Sequence, residues 1–272
     1  MTKAKNPNRL GENSAPNYWI VYSIFFAIAF ALVYSYFLFS GKLMLWYMDG
    51  NQQHLPSLMY LGVWIRDMAK NLLFNHSLNI ATYSFGLGFG GDIVQILHYY
   101  VIGDPLNLLS AFVPSSKTYI LYQVLIVVRL YLAGFVFSKM CLYFNRNRSQ
   151  AAALAGALLY VFSGFALFSA TRHPYFSNPL IYMPIIIIGA EKIFRKEKPY
   201  VFILGVFISA LSNFYFFYMI VLFTVLYVAV KIIVNRKELE IKGALIYLAK
   251  IAGAALLGVV MAGIILVPVV TH

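Results

Sequence analysis

Apolar positions in this chain come in long blocks, not at strand spacing. The blocks are Tyr18–Phe39, about Thr118–Phe144, about Ala151–Ala170, about Asn178–Phe194, Tyr200–Val234 and Gly243–Val270. An uninterrupted apolar run of about 20 residues predicts a helix that crosses a bilayer. The first run is longer than a secretory leader's core and no small-residue cleavage site follows it, so it predicts a retained membrane anchor. The stretch between the first and second blocks, roughly 40–117, is patterned differently. Within it, Leu55–Phe74 sets Leu58, Leu61, Ile65, Leu72 and Leu73 on one helical face and Arg66, Asp67 and Lys70 on the other. That spacing predicts an amphipathic helix lying on the membrane, with Pro56 in its first turn and Trp64 at the interface. Its charged residues read as solvated bystanders.

The expected fold is therefore an all-α integral membrane protein. It is a bundle of about seven transmembrane helices with a long, partly helical first extracytoplasmic loop. Residues 1–272 read as a single transmembrane module, with a cytoplasmic tail over 1–17 and the loop over 40–117. The sequence stops just after an apolar run at Ile264–His272, which predicts a module of a longer protein.

Composition supports this class. The chain is 61% hydrophobic and 11% charged, with mean hydropathy +0.76, where a soluble domain is about 25% charged. The net charge of +12 does not imply a nucleic-acid partner, because the excess clusters at segment ends. Cys141 is the single cysteine, which excludes a disulfide framework and a cysteine-based metal site.

Charge placement predicts topology. Lys3/Lys5/Arg9, Arg146/Arg148, Lys192/Arg195/Lys196/Lys198 and Lys231/Arg236/Lys237/Lys242 read as cytoplasmic clusters. All four aspartates, Asp49, Asp67, Asp92 and Asp104, fall in the loop on the other side, where cations are sparse. The N-terminus is thus expected inside. Tyr200–Val234 has basic flanks at both ends, so it should cross an even number of times. It has 35 residues (200 to 234), which predicts a hairpin of two short helices turning near Ser212–Asn213. One long tilted helix is the alternative. The turn would place Asn213, Tyr215 and Tyr218 near the outer side.

Three polar clusters in the loop carry candidate chemistry. The first is Trp46-Tyr-Met-Asp49-Gly-Asn-Gln-Gln53-His54. An aspartate before glycine is a common turn, but this one follows a membrane exit and precedes four hydrogen-bonding side chains. A carboxylate there can act as a general base or hold a divalent metal. His54 is a base, a ligand or a structural polar group. The second cluster, Gly86 to Tyr100 with Asp92, Gln95 and His98, has glycines that resemble a phosphate loop, yet no Lys-Ser/Thr follows. It reads better as a tight turn into a helix, with Asp92 as cap or site. The third, Gly103-Asp104-Pro105, reads as a helix cap with proline next.

Two cationic positions stand out. Arg129 sits inside the second block, where a charge is costly and faces a partner or a cavity. It reads as a phosphate contact or as a buried pair with a loop aspartate. Arg172-His173-Pro174 lies at a membrane exit and is a phosphate contact or an interfacial snorkel. Glu191-Lys192 reads as an interfacial charge pair.

These motifs resemble the N-terminal part of the bacterial YfhO-type membrane proteins. The resemblance rests on Asp49–Pro56, Gly86–Tyr100, Val101–Leu109, Arg129–Gly134, Tyr160–Phe165, Arg172–Pro174 and Ser212–Tyr218. That family is similar to the GT-C class of membrane glycosyltransferases, which take a sugar from a polyprenyl-phosphate carrier to an acceptor on the outer face of the bacterial cell membrane. The resemblance implies Asp49 as catalytic base or metal ligand, Asp92 as its partner, and Arg172 or Arg129 on the phosphate. Gln53, His54, Gln95, His173, Asn213 and Tyr215 are the further candidate substrate contacts. It also implies a cell-wall polymer acceptor such as lipoteichoic acid. Metal use varies within the class and no tight Asp-x-Asp pair is present, so a divalent ion (Mg or Mn) held by Asp49 and Asp92 stays open. A lipid or polymer transporter and a non-catalytic membrane scaffold are the rival readings.

Overall fold

The computed structural model of the chain describes residues 16–77, 80–144 and 149–271. Lys3, Lys5, Arg9, Arg146 and Arg148 lie outside the described residues, so the basic clusters assigned to them carry no structural account.

The protein is an all-α membrane protein. Its first apolar block is not one helix. It divides into α1 (Pro16–Val33) and α2 (Ser35–Ser40), broken at Tyr34. The loop then forms a π-helical turn (Gly50–His54), α3 (Leu55–Phe74), a two-stranded ribbon of β1 (Tyr83–Ser84) and β2 (Gly91–Asp92), α4 (Ile93–His98) and a 3-10 segment (Pro105–Phe112). The remaining helices are α5 (Thr118–Phe144), α6 (Gln150–Val161), α7 (Gly164–Arg172), α8 (Asn178–Phe194), α9 (Tyr200–Ser212), α10 (Phe214–Val234), α11 (Arg236–Met261) and α12 (Gly263–Thr271).

The third apolar block is likewise not a single straight span. α6 and α7 meet at 48°, because Ser163 adopts extended backbone and turns its hydroxyl back to cap Ala166 N. By length and composition, α5, α10 and α11 are each sufficient to cross a membrane, and the bent α6–α7 pair is a fourth where it is counted as one span.

Side-chain contacts fix two ends of the bundle. At one end, Tyr143 of α5 donates to Glu197, Lys231 of α10 pairs with Glu191 of α8, and Tyr247 of α11 donates to the Ala190 carbonyl. At the other, Asn178 at the start of α8 reaches Ser212 at the end of α9, and His98 of α4 meets the Leu211 carbonyl. The legs alternate between these ends: α1–α2, α5, α6–α7, α8, α9, α10, then α11. The aspartate-bearing loop covers one end and the described basic clusters gather at the other.

Tyr200–Val234 is accordingly a hairpin. Its break is at Asn213 (φ −164, ψ 118), whose side-chain oxygen accepts from Tyr215 N and Phe216 N and starts α10. The Glu191–Lys231 pair, 2.7 Å long, returns α10 to the end where α9 began. One long helix would have carried Lys231 to the opposite end.

Small residues let the legs approach closely. A Cβ on Gly189 would strike the Phe202 backbone, and one on Gly258 would strike Val206. In lipid, where burial of apolar surface gives little drive between helices, such close backbone packing holds them together. The inner helix α5 has 44% of its most apolar stretch buried, while α10 and α11 have 17% each. The outer faces of α10 and α11, with Leu226, Val230, Leu256 and Val260 exposed, therefore suit contact with lipid.

Within the loop, α3 is amphipathic but its charged face is not idle. Arg66 Nη1 donates to the carbonyls of Ser110, Ala111 and Val113, clamping the last turn of the 105–112 segment. Gly62 allows that segment to lie on α3, since a Cβ would meet the Ser110 carbonyl. Only Asp67 and Lys70 form an exposed pair, 3.7 Å apart. At the bundle's other end, Glu191 pairs with Arg195 and Lys231, and Lys192 pairs with Glu197 instead.

Candidate functional site

Asp49 stands at the start of the π-helical turn and is half-buried. Such turns are rare and recur at functional positions. The turn rotates Gln53 and His54 so that Gln53 faces outward and His54 inward. Gln53 Nε2 donates to Asp49 Oδ1 at 3.3 Å, and Tyr100 OH donates to Gln53 Oε1 at 2.8 Å. Tyr100, from the end of α4, thereby joins the wall of the site.

His54 is 1% exposed. Its Nε2 lies 3.0 Å from His173 Nδ1, across 119 residues of sequence. Tyr175 OH donates to the His54 carbonyl, and the rings of Tyr100, Tyr175 and His173 stand edge-on around the imidazole. Burial and the neighbouring His173 push the His54 imidazole down to about 4, against a smaller upward pull from Asp49. Burial also lowers His173, which Asp49 pulls up and Arg172 pushes down. Asp49, His54, His173 and Arg172 thus share one local field, drawn together from the loop and the end of α7.

Arg172 completes the group. Its guanidinium lies 5.2 Å over the Trp46 ring and 4.7 Å over the Phe168 ring. Aromatic faces hold a cation without consuming its hydrogen-bond donors. No hydrogen bond or ion pair engages those donors among the described residues, so an exposed, oriented guanidinium remains for a planar or tetrahedral oxyanion. Trp46 also contacts His173, which stacks on Phe176, which meets Phe216. An aromatic wall therefore runs from the turn before Asp49 to the start of α10.

Other candidates go elsewhere. Arg129 is 2% exposed and two of its three nitrogens are engaged: Nη2 meets Asp104 Oδ2 at 2.6 Å and Asn107 Oδ1 at 2.7 Å, and Nε meets Asn178 Oδ1 at 3.0 Å. It is the buried partner of a loop aspartate, closed off from any ligand phosphate in this arrangement. Asp104 also caps the 105–112 segment through Leu106 N. Asp92 caps α4 by accepting from the backbone N of Gln95, whose own side chain is exposed. Neither joins Asp49. Asn213 is spent on capping α10 and on the Tyr99 carbonyl, while Tyr215 is exposed beside Phe216.

Among the described residues, no group of three or more His, Cys, Asp or Glu side chains is placed to enclose a metal ion. A magnesium-type ion takes one or two carboxylates and completes its shell with water and substrate phosphate, so the residues present offer Asp49 as an anchor for such an ion and no cage.

Tyr175 and Phe176 are site residues outside the motifs marked in the sequence, and Trp46 and Tyr100 stand at the edges of two of those motifs with no role read for them. Aromatic residues near membrane exits are ubiquitous as interface anchors, and nothing in their spacing marks these four.

The family described as bacterial membrane protein YfhO matches residues 23–272. The chain is 27% identical over 186 residues to the uncharacterized protein YfhO of Bacillus subtilis (strain 168), a stretch that is 64% of this chain and 22% of that protein. It therefore spans well under two thirds of that relative's length. No solved structure matches. With a family match running across almost all of the bundle and the whole of the loop that carries Asp49, the chain belongs to the YfhO family of bacterial membrane proteins.

Proposed function

We propose that this chain is the membrane-embedded catalytic part of a glycosyltransferase that moves a sugar from a polyprenyl-phosphate donor to a cell-envelope acceptor on the outer face of the membrane. The observation that carries this reading is the pairing of a half-buried carboxylate with an unengaged guanidinium across one aromatic-walled site. Asp49, held by Gln53, removes the acceptor hydroxyl's proton as that oxygen attacks the anomeric carbon. The bond from that carbon to the phosphate oxygen breaks, and its electron pair leaves on the lipid phosphate. Arg172 faces the departing phosphate and stabilises the charge that develops there. A single displacement inverts the anomeric centre. The N-terminus is on the cytoplasmic side in this reading, and lipoteichoic acid is an acceptor of the right class. A divalent ion such as Mg or Mn, where one binds, would be held by Asp49 and would supply positive charge to offset that on the departing phosphate.

The test is sugar transfer by the full-length protein in membranes, wild type against Asp49→Asn. Loss of transfer with unchanged membrane insertion is the expected result. Retained transfer sinks Asp49 as the base.

One observation favours a second reading. The α6–α7 leg is bent by 48° at Ser163, and discontinuous helices are a mark of transporters. A lipid transporter would move labelled polyprenyl phosphate across vesicles without any acceptor.

A further inference from the structure

The His54–His173 contact needs a single proton, and the surroundings decide which ring holds it. If His173 Nδ1 carried the proton, His54 Nε2 would accept, and a neutral His54 would then carry its own proton on Nδ1. That atom is buried with no partner among the described residues. An enclosed N–H without an acceptor loses its full hydration, and such orphaned donors are rarer in proteins than under-used acceptors. The opposite assignment leaves a bare nitrogen there. It also leaves His173 with Nδ1 accepting and Nε2 bearing hydrogen. His173 is half-buried, and its Nε2 has no partner among the described residues and is not an enclosed atom. The groups around the two rings are Asp49, Arg172, Tyr100, Tyr175, Trp46 and Phe176.

We infer that His54 is a positioning residue. By donating from Nε2 to His173 Nδ1, it fixes His173 as a neutral ring whose Nε2–H, next to the Arg172 guanidinium, donates to an oxygen of a bound phosphate monoester. The inference rests on the reading of Arg172 as a phosphate contact, and it adds a second donor beside it. A hydrogen bond to the second ring nitrogen commonly sets which nitrogen of a working histidine carries the proton. Here the setting group is another histidine, itself shielded from water, which keeps its orientation fixed.

The experiment is a 15N spectrum of the histidine-labelled chain in lipid nanodiscs, with His173 assigned by its loss in His173→Gln. Wild-type protein should show His173 with a proton-bearing Nε2 and a bare Nδ1. Adding farnesyl phosphate or inorganic phosphate should perturb Nε2. A larger response to farnesyl phosphate identifies a lipid-borne phosphate, and an equal response identifies the free ion. His54→Phe keeps a ring and the backbone carbonyl that Tyr175 holds, but removes the donor. It should mix the His173 tautomers and weaken binding of these probes by roughly tenfold. His54→Gln supplies an amide donor and should recover most of the loss. A proton-bearing Nδ1 on wild-type His173, or unchanged probe binding in His54→Phe, overturns the inference. Failure of sugar transfer with the tautomer and phosphate binding intact counts against the enzymatic reading and leaves the role of His54 standing.

Discussion

Asp104 Oδ2 and Arg129 Nη2 lie 2.6 Å apart with their side chains 3% and 2% exposed, and together they pin the aspartate-bearing loop to the interior of α5. The pair is further satisfied by Asn107 and Asn178, so no charge is left facing apolar surroundings alone. Arg129 also lies 5.4 Å from the Tyr175 ring, and Tyr175 holds the His54 carbonyl. A pair with no access to a ligand thereby supports the floor of the candidate site.

Removing one partner strands the other charge in the interior. Asp104→Leu or Arg129→Leu alone is expected to cost about 3–5 kcal/mol, and the double replacement clearly less than the sum of the two. Thermal unfolding of the solubilised variants measures this. Strictly additive losses would show that the two groups do not depend on each other.

The two ends of the bundle give a labelling test. With Cys141 replaced, single cysteines at Tyr215, which is exposed beside the turn, and at Asn235 should react with membrane-impermeant reagents from opposite sides. Cysteines at Glu197 and Asn235 should react from the same side. Labelling of positions 215 and 235 from one side would contradict the α9–α10 hairpin.

Stability should fall in mild acid, and His54 sets the sign. Its native value is about 4, below the ordinary 6.5 of an unfolded histidine. Between those two values the unfolded chain binds a proton that the folded chain refuses. The contribution is therefore complete above pH 6.5 and is lost as pH falls towards 4, on the order of 3 kcal/mol. His98 and His173 shift in the same direction and add to the slope. Melting temperatures at pH 7.5 and pH 5 should differ, and His54→Phe should reduce the difference. An equal drop in the variant would assign the acid sensitivity elsewhere.

Gly103 has φ +89, and a Cβ there would collide with the Leu211 carbonyl. Gly103→Ala forces a left-handed residue and a clash together, with an expected cost of about 2 kcal/mol or more. A melting temperature within error of wild type would mean the loop and α9 separate readily.

Much of this architecture is legible in the sequence. Leu55–Phe74 and Thr118–Phe144 form the helices that their patterns predict, and equal charge at both flanks of Tyr200–Val234 predicts its turn at Asn213. The breaks at Tyr34 and Ser163 are not legible, since hydropathy runs straight through them. Pair choice is also hidden. Arg129 advertises the need for a partner, but which aspartate reaches it depends on how deeply the 105–112 segment sinks between α3 and α5. The site is half-legible: Asp49, Gln53 and His54 share a motif, whereas His173 meets them through the return of α7, far along the chain. Arg66 reads as solvent-facing from its helical position, and only the tertiary approach of Ser110–Val113 gives its donors work.

The turn at Asn213 ties the hairpin to the loop at several points: His98 on the Leu211 carbonyl, Asn213 on the Tyr99 carbonyl, and Gly103 against Leu211. Tyr100, the next residue along, holds Gln53, which holds Asp49. A rod pushed from its far end moves whatever is bolted to its tip. Tilting or sliding of α9–α10, whether from bilayer thickness or from a neighbouring helix, would transmit through Tyr99–Tyr100 to the carboxylate. Through that joint, the thickness of the surrounding bilayer would bear on the aim of Asp49.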